Sequence, residues 1–333
     1  MMGTVEVTRF LIRTGLAGAE EGLRCEALTG GVSSDIWKVR ARSRSIVVKR
    51  ALSKLKVAQD WRVPVTRNAS EAAWLMLVHS IVPDAVPAVL AHDPDAGLFA
   101  MDYLEPGAHP VWKTLLRDGQ VDLGTAQEVG RRIAAVHAAT AHDADVARRF
   151  ANDSVFHSIR LEPYLEATAR AHPDLAAHML GVSEATLRTH MALVHGDVSP
   201  KNILIGPRGP IFLDAECAWF GDPAFDLAFC LNHLLLKCLW KPAASARFLA
   251  AFDRLAASYL DKVSWEPRAD TERRIARLLP MLLLARVDGK SPVEYVTAER
   301  DKDRVRRAAK SLILNPVERL AGIRAAWERE LTR

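Results

Sequence analysis

Three oxygen-bearing side chains in one short stretch set the chemistry this chain can do. Asp197 lies in the run V-H-G-D-V-S-P-K-N-I-L-I, Asn202 follows five residues later, and Asp214 closes the next apolar run, I-F-L-D. A carboxylate in a polar loop can accept the proton of an attacking hydroxyl. A further carboxylate and an amide oxygen nearby suit a hard cation such as Mg2+ held against phosphates. The layout is that of a phosphoryl-transfer site. A lone H-G-D is more often a turn with a capping Asp, so the weight rests on the three residues together.

These residues need elements that bring them to one edge. Residues 191–194 and 203–205 are short apolar runs flanking a loop broken by Pro200. Residues 206–210 read as a tight turn into a strand over 211–213, a hairpin with Asp197 and Asn202 on its approach and Asp214 at its exit. Upstream, residues 23–28, 36–41 and 45–51 read as strands, and 5–16 as a short helix or an extended arm. The turn T-G-G-V-S-S over 29–34 carries Gly30 and Gly31, whose lack of side chains lets backbone N–H groups approach phosphates. Lys49 ends the third strand. Residues 68–79 place Ala72, Leu75, Met76 and His79 at helical spacing. Glu71 on that helix is either a partner for Lys49 or the second half of a capping box begun by Asn68. Strands over 86–91 and 98–103 complete a five-stranded, one-helix segment.

The turn L-E-P-G after Tyr103 marks a change from strand-rich to helix-rich sequence and is the expected boundary, giving 1–104 and 105–333. His137, on the apolar side of a helix over 125–138, reads as a satisfied core histidine. His195 reads as positioning the loop, since no H-E-x-x-H or cysteine cluster supplies further zinc ligands. Asp226, inside an apolar helix, needs a partner, because an unpaired buried carboxylate is costly. Glu216 either assists a metal or substrate or is a partly solvated loop carboxylate. Arg286, Asp288 and Lys290 are brought together by the helix breakers Gly289 and Pro292, as solvated charges or as a rim of the acceptor pocket.

H-G-D-V-S-P-K-N followed by L-D-A-E resembles the catalytic and metal-binding segments of the aminoglycoside phosphotransferase and choline kinase-like family. The resemblance covers roughly residues 28–236. It implies an α+β, protein-kinase-like two-lobed fold, with a small strand-rich N-terminal nucleotide-binding lobe and a larger, mainly helical catalytic and acceptor-binding lobe. By the family pattern Asp197 is the base, and Asn202 and Asp214 bind Mg2+. Lys49, held by Glu71, reaches the nucleotide phosphates under the Gly30–Gly31 turn, and the backbone from Asp102 to Leu104 takes the base of the nucleotide. The partner of Asp226 is then the backbone of the H-G-D loop. The implied reaction is Mg2+-dependent transfer of the γ-phosphate of ATP or GTP to a hydroxyl of a small molecule: an aminoglycoside, a choline-like compound, a sugar, an amino alcohol or a hydroxy acid. The alternative is a catalytically inactive kinase-like binding protein, whose usual mark is loss of the base, the Lys or a metal ligand. Protein kinases carry H-R-D with a Lys two residues after the Asp. His195-Gly196-Asp197 and Ser199 depart from that pattern and favour a small acceptor.

Composition narrows the classes further. A chain of 333 residues with 49% hydrophobic and 26% charged residues can build two cores. The net charge of +5 is scattered among acids, so no nucleic-acid stripe is expected. Cys25, Cys217, Cys230 and Cys238 form no C-x-x-C pair and fit reduced thiols in the cytoplasm. No apolar run reaches the length of a membrane span, and no signal-peptide pattern opens the chain.

Overall fold

The computed structural model describes residues 2–20, 22–28, 34–41, 44–51 and 67–333. The expected Gly30–Gly31 turn lies outside the described residues. Helix α1 (Met2–Arg13) precedes β1 (Arg24–Ala27), β2 (Ser34–Ala41) and β3 (Arg44–Ala51), so the opening segment is a helix and not an extended arm. Helix α2 (Arg67–Ile81), β4 (Val89–Asp93) and β5 (Leu98–Asp102) follow, and the five strands form one antiparallel sheet in the order β1-β2-β3-β5-β4.

The middle of the central strand β3, Ile46 to Val48, is a continuous apolar run because both of its faces are covered. Val47 packs with Phe99, Ala72 and Leu75 on the α2 side, whereas Ile46 and Val48 pack with Val7, Phe10 and Leu11 of α1. The two-residue period of a strand therefore puts Lys49, two positions after Val47, on the α2 face. On α2 the buried residues Arg67, Asn68, Glu71, Ala72, Leu75 and Val78 share one helical face, which turns Glu71 toward the same space. Asn68 lies inside the first turn, and its amide donates to the Lys49 carbonyl at 3.4 Å, so it does not act as the helix cap.

The remainder is mainly helical. Helices α3 (Trp112–Arg117), α4 (Leu123–Thr140), α5 (Ala144–Arg149) and α6 (Asp153–Phe156) run into a π-helical stretch, His157–Glu166, and then α7 (Ala167–Ala171) and α8 (Ala176–Arg188). Asp122 caps α4 by accepting from the Thr125 N–H at 2.7 Å. Strand β6 (Ala192–Val194) pairs with β9 (Trp219–Gly221), and between them β7 (Ile203–Gly206) and β8 (Gly209–Phe212) make the hairpin expected from the sequence. Helices α9 (Ala224–Trp240), α10 (Ser245–Leu260), α11 (Arg268–Asp288), α12 (Glu299–Leu314) and α13 (Leu320–Leu331) complete the chain. Helix α9 is buried almost end to end between α10 and α11. Among the described residues, no helix is long and apolar enough to cross a membrane.

Candidate active site

The loop after β6 is fixed from three sides. Asp226, in the first turn of α9, accepts the backbone N–H of His195 at 2.7 Å and of Gly196 at 2.8 Å. His137 reaches the same carboxylate at 3.2 Å and the Tyr259 hydroxyl at 2.8 Å, a satisfied core histidine. Asp226 thus finds its partner in the loop backbone. His195 donates from Nε2 to the Leu213 carbonyl at 3.1 Å and accepts the Asp197 N–H on Nδ1 at 3.1 Å. Those two bonds select the Nε2–H tautomer, and burial keeps the ring below its ordinary pKa and neutral. The Trp74 ring of α2 meets it edge-on at 4.8 Å. Gly196 adopts φ +79°, and a Cβ there would fall 2.8 Å from the Cys217 Cβ and carbonyl, so glycine is required twice over.

This scaffold presents Asp197 with its carboxylate between two cations, Arg160 at 2.9 Å and Lys201 at 3.3 Å. Burial opposes its ionisation, yet Lys201 and Arg160 outweigh burial and hold the carboxyl well below the usual range. Asn202 closes the short turn Pro200–Asn202; its Nδ2 donates to the Asp197 carbonyl at 3.1 Å and its own carbonyl accepts from Leu213 at 2.9 Å. Asp214, next in line, sits in the left-handed region at φ 68°, a conformation Asp tolerates better than most side chains.

Asp214 meets the sheet there. Lys49 Nζ lies 2.5 Å from Asp214, 2.7 Å from Glu71 and 3.0 Å from Glu216. The sequence order strand, Lys, helix and distant hairpin is thus brought to one point, and Glu71 is the partner of Lys49 and not the second half of a capping box. Glu216 is buried, not a solvated loop carboxylate: it accepts from Ser34 at 2.8 Å and from Arg67 at 3.0 Å as well. Burial would strip the proton from Lys49, but Asp214, Glu71 and Glu216 together hold its pKa well above the ordinary value. Burial, with Asp214 and Glu216 nearby, pushes Glu71 up against the pull of Lys49. Oxygens of Glu71, Asp214 and Glu216 come within 4.8 Å of one another. Among the described residues, Lys49 touches all three carboxylates and Arg67 adds a second cation on Glu216. An all-oxygen donor set of this kind suits a hard divalent cation. Asp102 pairs with Ile46, three residues along β3 from Lys49, roughly 10 Å away at strand spacing, and Leu104 follows it.

Asp197 opens on its other side into a cavity of about 200 Å³ whose walls include Lys113, Lys201, Lys237, Arg286 and Tyr295. His233 and Lys237 follow Asp226 at spacings of seven and four, which places all three on one face of α9. The expected cluster of Arg286, Asp288 and Lys290 does not form. Arg286 turns to the cavity and to the Tyr164 hydroxyl, while Asp288 pairs with His172 and Arg306 and Lys290 with Glu162. Sequence reasoning missed Arg67, Arg160, Lys201 and Lys237. Two of these carried a signal: Lys201 stands four residues after Asp197, and Lys237 is the lone charge in L-L-L-K-C-L-W.

Methylthioribose kinase 1 of Oryza sativa subsp. japonica is 24% identical over 249 residues, covering 66% of this chain and 58% of that protein. A methylthioribose kinase of Bacillus cereus is 24% identical over 241 residues, covering 65% of this chain and 61% of that one. The chain thus spans about three fifths of the length of these curated relatives. A choline/ethanolamine kinase family protein from Mesorhizobium loti superposes with a TM-score of 0.57 at 16% identity, covering 99% of this chain and 100% of that one, which shows a shared two-lobed fold. The family model described as the phosphotransferase enzyme family matches residues 24–237, more than half of the sequence, and the chain belongs to that family.

Proposed function

We propose that the protein transfers the γ-phosphoryl group of ATP or GTP to a hydroxyl of a small molecule. The observation that carries this reading is Lys49, which ties Glu71 of the sheet-side helix to Asp214 of the catalytic hairpin while Asp197 faces a separate cavity. In this reading residues 1–104 form the nucleotide lobe and 105–333 the catalytic and acceptor lobe. The backbone between Asp102 and Leu104 takes the nucleotide base. The Gly30–Gly31 turn and Lys49 take the phosphates, with Glu71 fixing the ammonium.

Asn202 and Asp214 would hold Mg2+, with Glu216 close to Asp214; bound there, the ion would neutralise charge on the transferring phosphates. Lys49, which the three carboxylates surround, would turn toward phosphate oxygens. Asp197 accepts the hydrogen bond of the acceptor hydroxyl and aligns its oxygen. Because Lys201 and Arg160 keep this carboxylate a weak base, it takes the proton late, once attack has made the hydroxyl acidic. A loose transition state asks for little earlier.

The curated relatives are named for methylthioribose, so a sugar of that type is one acceptor to test, beside amino alcohols, choline-like compounds, hydroxy acids and aminoglycosides. None of Lys49, Asp197, Asn202 and Asp214 is replaced, and nothing in the site favours an inactive binding protein. The free cysteines suit a cytoplasmic protein. The test is acceptor-dependent formation of nucleoside diphosphate with a matching phosphorylated product seen by phosphorus NMR. Tight MgATP binding with no transfer to any hydroxyl compound would contradict the proposal.

A further inference from the structure

The cavity beside Asp197 carries more positive charge than its own carboxylates neutralise. Lys113, Lys201, Lys237 and Arg286 line it, against Asp197 and Glu294. Lys113 is paired with Glu294, and Lys201 shares Asp197 with Arg160. Lys237 and Arg286 are left over. Lys237 is 1% exposed, and its ammonium makes no ion pair or hydrogen bond among the described residues. It rests over the rings of Trp240 and Tyr295, at 4.5 and 4.7 Å from their centroids. Arg286 donates to neutral oxygens of Tyr164 and Ser291, and its Nε has no hydrogen-bond partner among the described residues. On the same walls the buried Nε2 of His233 and the hydroxyl of Tyr295 also lack hydrogen-bond partners among the described residues.

We propose that the acceptor is a small hydroxy acid, its hydroxyl set against Asp197 and its anionic group held by Lys237 and Arg286. This rests on the phosphotransferase reading of the same site and names its substrate class. An anion gives both leftover cations a partner, and buried charges are retained where they are paired. A choline-like cation would need an aromatic face or a free carboxylate. Here the faces of Trp240 and Tyr295 already take Lys237, and the carboxylate of Glu294 is taken by Lys113. A cavity of about 200 Å³ is smaller than the roughly 300–1,000 Å³ of pockets for drug-sized ligands. That size disfavours an aminoglycoside. Arg286, Glu294 and Tyr295 lie beyond residue 237, where the family match ends, so part of the cavity wall comes from outside the matched segment.

Transfer breaks the bond between the γ-phosphorus and the bridging oxygen and forms one between phosphorus and the acceptor oxygen. The hydroxyl proton passes to Asp197, the nucleoside diphosphate leaves, and the anionic group is unchanged. Burial, together with Lys113 on α3 and Arg286 on α11 and opposed only by Glu294, pushes Lys237 down to about 7. Binding of an anion therefore draws a proton onto Lys237 at pH 8.

The test is calorimetric titration without nucleotide, using 3-hydroxybutyrate, 4-hydroxybutyrate and glycerate against glycerol, ribose and choline. Buffers of different ionisation enthalpy report proton uptake. At least one hydroxy acid should bind tenfold or more tightly than every uncharged or cationic compound, with proton uptake at pH 8. Lys237→Met and Arg286→Gln should each weaken that binding at least tenfold without changing MgATP affinity, and Lys237→Met should abolish the proton uptake. Glycerol, ribose or choline binding as tightly as every hydroxy acid, or hydroxy-acid binding untouched by both substitutions, overturns the proposal. Transfer to choline alone would overturn the anion site and leave the phosphotransferase reading standing. Hydroxy acids that bind through Lys237 and Arg286 but are never phosphorylated would overturn their assignment as the acceptor, and only a failure of transfer to every hydroxyl compound would overturn the phosphotransferase reading.

Discussion

Asp226→Asn exchanges one atom in the support of the catalytic loop, and its effect follows from the bonds that carboxylate makes. The side chain accepts two backbone N–H groups, at 2.7 and 2.8 Å, in a fully buried setting. Hydrogen bonds to a charged group contribute about 1.5–3 kcal/mol each. An amide keeps one acceptor oxygen but turns its NH2 toward the other N–H, so one bond becomes neutral and one donor is left unsatisfied at a cost of about 1–3 kcal/mol. His137 loses its charged partner as well. The sum is about 3–5 kcal/mol, a large share of the roughly 5–15 kcal/mol that holds a domain folded. At about 2 °C per kcal/mol for a chain of this size, the melting temperature should fall by roughly 6–10 °C. Urea unfolding gives the free energy directly, with an unchanged slope showing that only the native state was altered. Turnover should drop more than tenfold while nucleotide affinity changes little, because Lys49, Glu71 and Asp214 are held by other elements. A variant within about 0.5 kcal/mol of the parent, with full turnover, would refute the assignment of Asp226 as the brace of this loop.

Three further outcomes follow from the charges around the site. Folding takes Lys237 from the ordinary lysine value to about 7, so the unfolded chain holds the proton more tightly between pH 7 and 10.5 and stability rises with pH across that window. Lys237→Met should be more stable than the parent at pH 7, and urea titrations should show its advantage shrinking by up to about 1.4 kcal/mol per pH unit as the pH rises; an advantage independent of pH contradicts this. Lys49→Met removes the ammonium from among three carboxylates, so turnover should be lost, and the melting temperature should fall by several degrees and recover when Mg2+ is added without nucleotide. A melting temperature indifferent to Mg2+ would deny that these carboxylates form a cation site. Asn202→Ala and Asp214→Ala should each raise the Mg2+ concentration needed for half-maximal turnover; parent-like Mg2+ dependence in both would remove them as ligands.

What the sequence made legible was local. Asp197, Asn202 and Asp214 could be read together because a short hairpin fixes their spacing, and Lys49 and Glu71 because a strand end and a helix face each have a period that fixes direction. Long-range partners left no such trace. Arg160 comes from a π-helical stretch 36 residues before Gly196, whose carbonyl it also contacts, and nothing in its neighbourhood marks it as a partner of Asp197. Glu216 was open between two roles because its burial depends on Ser34 and Arg67, which approach from the sheet side. Asn68 fits a cap by type, but the helix begins one residue earlier and its amide turns to the Lys49 carbonyl. Asp288 and Lys290 read as neighbours of Arg286, yet the end of α11 sends them to His172, Arg306 and Glu162. Lys237 shows the opposite failure: a charge alone in an apolar helix is a visible anomaly, and its meaning emerged only when α9 set it on the face shared with Asp226.

The central claim is that Asp197 receives the acceptor's proton and is separate from the groups that hold the nucleotide. Single-turnover phosphoryl transfer by Asp197→Asn, measured beside calorimetric titration of MgATP, tests it most directly. The amide preserves shape and contacts but cannot take a proton, so transfer should slow by about 100- to 10,000-fold, or about 3–5 kcal/mol of barrier, with nucleotide affinity nearly unchanged. Transfer at the parent rate, or loss of nucleotide binding in this variant, would contradict the account.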